Sequence, residues 1–253
     1  MIVTFLGTGT SQGVPLIACN CEVCTSVDTK DKRLRSSILI ESTTTTLVID
    51  TGPDFRYQML RENVQKLDAV VYTHEHKDHI AGLDDIRAFN YKQQQAMNVY
   101  ADANVQLALR REFAYIFSDK KYPGVPLINV HPIINNAFTI GDITLKPVHV
   151  MHYKLPILGF RINDFTYITD AKTVSNTERE KIKGSKILVI NALQKESHIS
   201  HFTFTEAIQF AQEIGAETTY FTHISHRLGK HFVIENELPP NIRLAYDGLK
   251  VEI

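Results

Sequence analysis

Short apolar runs, rich in Val, Ile and Leu and bounded by turn residues, recur along the whole chain. Such runs read as buried strands. They cover residues 2–6, 37–41, 46–50, 69–72, 99–100, 138–140, 143–150, 157–162, 166–169, 187–190 and 218–221. Between them the apolar spacing widens to the helical period. A helix is predicted over 54–61, and one over 79–91 with Ile80, Leu83, Ile86 and Phe89 on one face. Others are predicted over 103–117 (Val105, Leu107, Leu109, Phe113, Ile116), 176–182 and 204–214 (Ala207, Ile208, Phe210, Ala211, Ile214). The tail, 243–253, reads as a hairpin turning at Asp247-Gly248. Strands dominate each half and helices fall between or after them. That order predicts an α+β chain of two packed β-sheets with helices outside.

Length and composition add little chemistry but exclude some. The 253 residues, 43% hydrophobic with a formal charge of −1, suit one domain over 1–253 with a substantial core. The balanced charge argues against a nucleic-acid partner. No apolar run approaches the roughly 20 residues of a membrane helix, so no membrane is expected. Residues 1–6 are short and carry no basic group, unlike a signal peptide. The three cysteines, all within 19–24, make a poor disulfide framework, and a cytoplasmic location is expected.

The chemistry begins where the strand 69–72 ends. His74-Glu75-His76-Lys77-Asp78-His79 packs three imidazoles and two carboxylates into six residues. Asp78 alone could be a helix cap, but no capping or packing rule asks for three histidines here. Imidazole with carboxylate suits Zn²⁺, Mn²⁺ or Fe. Further donors stand at later strand ends: His149 and His152, Asp170, and the pair His223 and His226. Taken singly, Asp170 would be a turn residue and His223 a satisfied core histidine.

Cys19-x-Cys21-x-x-Cys24 offers three thiolates that clamp a tetrahedral Zn²⁺ once a fourth ligand arrives, and His226 is the natural fourth. The bland alternative is a group of buried thiols. The glycine-rich loop 7–13 lacks the Lys-Ser/Thr ending of a P-loop and misses the dinucleotide spacing, so it reads as a tight turn.

His74-x-His76-x-Asp78-His79 followed by Gly82-Leu83 resembles the signature of the metallo-β-lactamase-fold hydrolases. The resemblance implies an αββα sandwich of two mixed sheets and a dinuclear site. His74, His76 and His152 would hold one catalytic divalent metal, Zn or Mn. Asp78, His79 and His223 would hold the second, with Asp170 bridging. His149 stays a rival to His152. Asp50, before Thr51-Gly52, would support the metal-binding turn from behind.

Several further segments resemble the phosphoribosyl cyclic phosphodiesterases of the carbon–phosphorus lyase pathway. They are Gly7-Thr8-Gly9 with Gln12-Gly13-Val14-Pro15, the cysteine segment, Thr222-His223-Ile224-Ser225-His226, Glu235-Asn236, and the Asp247-Gly248 tail. The likeness is weakest over 87–136, where specificity is expected. It implies a structural zinc on Cys19, Cys21, Cys24 and His226, and a small phosphorylated substrate such as phosphoribosyl cyclic phosphate.

Two metals would lower the pKa of a shared water and offset charge on a phosphoryl group. His201 is the expected proton donor to the leaving oxygen, with His198 its rival, and Asp78 belongs with His201 in the catalytic set. The competing expectations are a tRNA 3′-processing endonuclease, a lactonase or thioesterase, and a non-hydrolytic protein like that of pyrroloquinoline-quinone biosynthesis. A homodimer is left open.

Overall fold

The apolar runs pair into two sheets in a computed structural model that describes residues 1–120 and 122–253. The first sheet takes β1 (Ile2–Gly7), β2 (Ser37–Glu41), β3 (Thr46–Ile49), β4 (Ala69–Val71), β5 (Met97–Ala101) and β6 (Ile128–Pro132). The second takes β7 (Phe138–Ile140), β8 (Ile143–His152), β9 (Leu155–Ile162), β10 (Phe165–Tyr167), β11 (Thr173–Val174), β12 (Ile187–Asn191), β13 (Thr218–Thr222) and β14 (Ile242–Leu244). β15 (Lys250–Glu252) returns to the first sheet beside β1. The orders are β15-β1-β2-β3-β4-β5-β6 and β11-β8-β9-β10-β12-β13-β14, with β7 on β8. Both sheets are mixed: β1–β3 pair antiparallel and β3–β6 parallel, and β8–β10 pair antiparallel while β10, β12, β13 and β14 run parallel.

Alternation along the strands explains the layers. Ile38 and Ile40 face the space between the sheets, where they join Phe160, Ile162 and Val189. Leu39 points the other way, into a cluster with Phe55, Met59, Leu83, Phe89 and Leu109. Leu188 and Ile190 likewise turn out from the second sheet onto Ala207, Phe210 and Ile214. The central strands are therefore buried on both faces, which is why they read as continuous apolar runs. Each such side chain stabilises by about 1.5–3 kcal/mol on burial. This is the αββα sandwich expected from the resemblance.

Three sequence expectations need correction. The helix over 79–91 is broken into Lys77–Ile80, a 3-10 turn Leu83–Ile86, and Arg87–Gln93. The chain yields at Gly82, whose N–H donates to Thr51 O at 2.8 Å and where a Cβ would stand 2.3 Å from Gly52 O. The helix over 103–117 divides at Phe113 into Ala103–Glu112 and Ala114–Phe117, so that Leu109, Phe113 and Ile116 reach one cluster. Leu107, placed on the apolar face, is exposed.

The tail is no hairpin. β14 lies parallel to β13 in the second sheet and β15 antiparallel to β1 in the first, so Asp247-Gly248 is the crossing between sheets. Asp247 is held there by Thr8 Oγ1 and the Leu34 N–H, at 2.8 and 2.7 Å. These partners lie more than 200 positions away in sequence, beyond the reach of a local turn rule. β6, which ends at Pro132 on a sheet edge, escaped the periodicity altogether.

Candidate metal centre

The strand ends that carry the histidines and aspartates converge at one rim of the sandwich. Asp50 follows β3, His74 to His79 follow β4, His152 closes β8, Asp170 follows β10, and His223 follows β13. Asp50, Asp170 and His223 all hold positive φ, at 67°, 59° and 55°. Non-glycine residues enter that region at a cost on the order of 1–2 kcal/mol, so the surrounding packing must enforce it. The turn re-aims each side chain away from its strand direction and into the rim.

Gly52 permits the closest approach. A Cβ there would stand 2.1 Å from Asp78 O, and the Thr51 N–H donates to His79 O at 2.7 Å. The turn after β3 thus braces the helix-opening turn that carries Asp78 and His79.

Asp170 sits at the middle. Its Oδ1 lies 3.1 Å from Nε2 of both His201 and His223, and its Oδ2 lies 3.4 Å from His79 Nε2. Asp78 Oδ2 is 3.1 Å from the same His79 nitrogen. Asp78, His79, Asp170 and His223 therefore present donor atoms within 4.8 Å of one another, as do His152, Asp170 and His201. His74 and His76 adjoin this group: His74 Nε2 is 3.1 Å from His76 Nδ1, and the His76 and His152 rings are 5.1 Å apart.

Second partners fix which nitrogen each ring offers. His79 Nδ1 donates to Asp50 Oδ2 at 2.8 Å, which leaves Nε2 with its lone pair. That Nε2 is buried with no hydrogen-bond partner, an orphan that a cation would satisfy. His152 Nδ1 donates to the carbonyls of Asp170 and Ser200, at 2.8 and 2.9 Å, so Nε2 is again the free nitrogen. Asp50 is itself fixed by the Thr73 N–H and hydroxyl, both at 2.8 Å. The donor set and its supports fit divalent metal.

Electrostatics follow from burial and crowding. Burial alone would raise Asp170, but the imidazoles of His223 and His79 outweigh it and hold its carboxyl well below the usual range. Burial would lower His79, but Asp78, Asp170 and Asp50 overcome that and lift it well above an ordinary histidine. His74 falls well below, from burial and then from His79, and burial brings His223 down to about 4. Ionised Asp170, with His74 and His223 kept neutral, suits a cation, and the three carboxylates that favour positive charge on His79 would favour a metal ion in the same place.

The rival histidines are separated by strand geometry. His149 and His152 lie three apart on β8, so they project to opposite faces. His152 reaches the cluster, whereas the His149 N–H donates to Glu178 at the helix Asn176–Ile182. His201 contacts Asp170, while His198 stands behind it, its Nδ1 3.2 Å from His201 Nδ1. His201 is placed just before the helix Phe204–Ile214, whose start is fixed by a capping box between Thr203 and Glu206. Sequence reasoning missed Ser200 O and Thr10, whose hydroxyl is 3.3 Å from His223 Nε2. Neither has a motif to betray it.

The three thiols gather around one imidazole. Sγ of Cys19, Cys21 and Cys24 lie 3.4, 3.3 and 3.6 Å from His226 Nδ1. A tetrahedral zinc with Zn–S of about 2.3 Å and Zn–N of about 2.0 Å gives an edge of roughly 3.6 Å. The Cys24 N–H, donated to Cys21 Sγ, leads in bringing the Cys21 thiol down to about 6, whereas burial pushes Cys24 up to about 11. No disulfide joins the three. His226 and His223 leave the same turn, so the thiol segment is anchored beside the aspartate–histidine cluster. Among the described residues, no helix is long and apolar enough to cross a membrane.

The chain is similar to several known proteins. A family profile described as a beta-lactamase superfamily domain matches residues 45–224. A Porphyromonas gingivalis protein named octanoyltransferase is 40% identical over 98% of this chain. The chain spans 51% of that protein's length. A ribonuclease Z of Methanopyrus kandleri is 23% identical over 100% of the chain and 98% of its own length. The crystal structure of a new diphosphatase from the PhnP family superposes with a TM-score of 0.93 at 38% identity, covering 100% of this chain and 97% of that one.

Proposed function

We propose that this chain, which belongs to the metallo-β-lactamase superfamily, is a metal-dependent hydrolase that cleaves a P–O bond in a small phosphorylated substrate. A cyclic phosphodiester such as phosphoribosyl cyclic phosphate is the first candidate, and a diphosphate, as the name of the PhnP-family structure indicates for that protein, is the second. The observation that carries the reading is Asp170, which has one oxygen 3.1 Å from both His201 and His223 and the other 3.4 Å from His79.

His74, His76 and His152 would hold one divalent metal, and Asp78, His79 and His223 the other, with Asp170 between them. Zn or Mn suits these ligands. When bound, such a pair supplies Lewis acidity that activates water and offsets phosphoryl charge. The chain's own residues do the rest. His201 Nε2 stands at the edge of the cluster and delivers a proton to the leaving oxygen. Its ring stacks on His223 at 4.9 Å, and Ser200 Oγ, 3.1 Å from Nδ1, steadies the far side. Cys19, Cys21, Cys24 and His226 would hold a structural zinc that pins the thiol segment within a single catalytic domain. Thiols committed to metal suit the reducing cytoplasm.

His201→Ala tests the role. Metal content should be unchanged and turnover of bis(p-nitrophenyl) phosphate should fall by roughly 10²- to 10⁴-fold, the usual worth of a general acid. Near wild-type turnover would remove His201 from the mechanism. A screen of cyclic ribose phosphates, diphosphates and precursor tRNA selects the substrate. Cleavage of the tRNA alone would favour the ribonuclease Z reading that the Methanopyrus relative supports. Octanoyl transfer, assayed alongside, addresses the name of the Porphyromonas protein.

A further inference from the structure

A second cavity, of about 460 Å³, lies where the segment after the thiols meets the edges of both sheets. Lys30, Tyr220, His231, Phe232, Arg243 and Tyr246 line it, and it shares no residue with the metal-binding clusters. We propose that this cavity binds a small anionic ligand with a planar ring, the chemistry of a nucleoside monophosphate, through the Nε2–H of His231.

The argument starts from Arg33. The residue is 4% exposed and its NH2 lies 3.0 Å from His231 Nδ1. Arginine can only donate, so Nδ1 must accept, and the proton of this neutral imidazole is on Nε2. Burial, followed by the charge of Arg33, also depresses His231 to about 4, consistent with the neutral ring. The His231 residue is 5% exposed and lines the cavity, and it hydrogen-bonds through Nδ1 to Arg33 and through the backbone N–H to Asp31. A cation donating into one nitrogen polarises the N–H on the other and makes it a stronger donor. The structure therefore holds a preset donor on a residue of the cavity wall.

The surroundings select the ligand. Each of the two carboxylates on the wall accepts one backbone N–H: Asp28 Oδ1 from Lys30 at 2.9 Å, and Glu235 Oε2 from Leu244 at 2.7 Å. The cations are less committed. Lys30 Nζ rests 4.5 Å over the Tyr246 ring, and Arg243 reaches Glu235 only at 4.0 Å. The Tyr220 and Tyr246 hydroxyls have no hydrogen-bond partner among the described residues. The N–H and O–H donors of Lys30, Arg243, His231 and the two tyrosines outnumber the lone pairs those carboxylates keep, which favours an oxygen-rich ligand such as a phosphate. Phe232, 72% exposed at the rim, offers a face for a flat ring, and Tyr246 stands edge-on to His231 at 6.0 Å.

Water could serve Lys30 equally well, so the weight rests on His231. The test is a titration of the ¹⁵N-labelled holoenzyme with AMP, following the His231 ring resonances. The Nε2–H signal should move and saturate. Lys30→Met and Phe232→Ala, both at exposed positions, should each weaken the affinity at least about tenfold with hydrolysis of bis(p-nitrophenyl) phosphate unchanged. Inorganic phosphate alone should displace the same signal more weakly. A resonance that stays in place at millimolar AMP overturns the proposal, as does an affinity unaltered in both variants. A response to adenosine with none to phosphate would overturn the anionic assignment.

Discussion

Asp50→Asn is the most revealing single perturbation, because it changes a tautomer while keeping shape. Asp50 Oδ1 accepts from the Thr73 N–H, and Oδ2 accepts from both the Thr73 hydroxyl and His79 Nδ1, each at 2.8 Å. The backbone N–H can only donate, so the amide oxygen of an asparagine must face it. The NH₂ group then faces His79 Nδ1, which has to become an acceptor. The ring proton moves to Nε2, the buried nitrogen that now has no partner. A protonated Nε2 cannot bind a metal. Loss of such a supporting bond costs ten- to a hundredfold in metal affinity, or roughly 1.4–2.8 kcal/mol. Three buried hydrogen bonds converge on this one carboxylate, so the upper end of that range is expected. Calorimetric titration with Zn²⁺ measures the affinity, and ¹⁵N shifts of His79 report the tautomer. Wild-type affinity with the Nδ1–H form retained would refute the reasoning.

Three other outcomes follow from the same geometry. Cys21→Ser should lower bound zinc by about one ion per chain and lower Tm, since structural zinc couples to folding; unchanged stoichiometry by elemental analysis would dispose of the thiol site. Gly52→Ala should unfold the metal-binding turn locally, because its Cβ would stand 2.1 Å from Asp78 O; full metal content at wild-type Tm would contradict this. Asp247, its side chain 8% exposed, is raised by burial to about 6. The native state then holds that proton more tightly than the unfolded chain, so its contribution to stability declines as pH rises from about 4 through 6, by roughly 3 kcal/mol in all. Asp247→Asn should therefore gain on wild type as pH rises through that window in urea unfolding, and a pH-independent difference would count against it.

The sequence by itself indicated most of the strands and the chemistry. Continuous Val- and Ile-rich runs read as buried strands, and His74-x-His76-x-Asp78-His79 with Cys19-x-Cys21-x-x-Cys24 offered the residue types that bind metal. What spacing could not reach was anything enforced from a distance. Gly82 breaks a helix whose periodicity is intact because Gly52 packs against it. The Asp247 turn carries a hairpin sequence yet crosses between sheets, because Thr8 and Leu34 capture its carboxylate. That His152 rather than His149 faces the aspartate–histidine cluster depended on the strand's length and face, and that His201 rather than His198 touches Asp170 depended on a contact 31 positions away. The positive φ of Asp50, Asp170 and His223 leaves no local signature, since it is strain held by tertiary packing. Nor could any motif show that Arg33 fixes the proton of His231, 198 positions away. Local rules set which groups the chain carries, and long-range contacts set which nitrogen, which face and which partner each one uses.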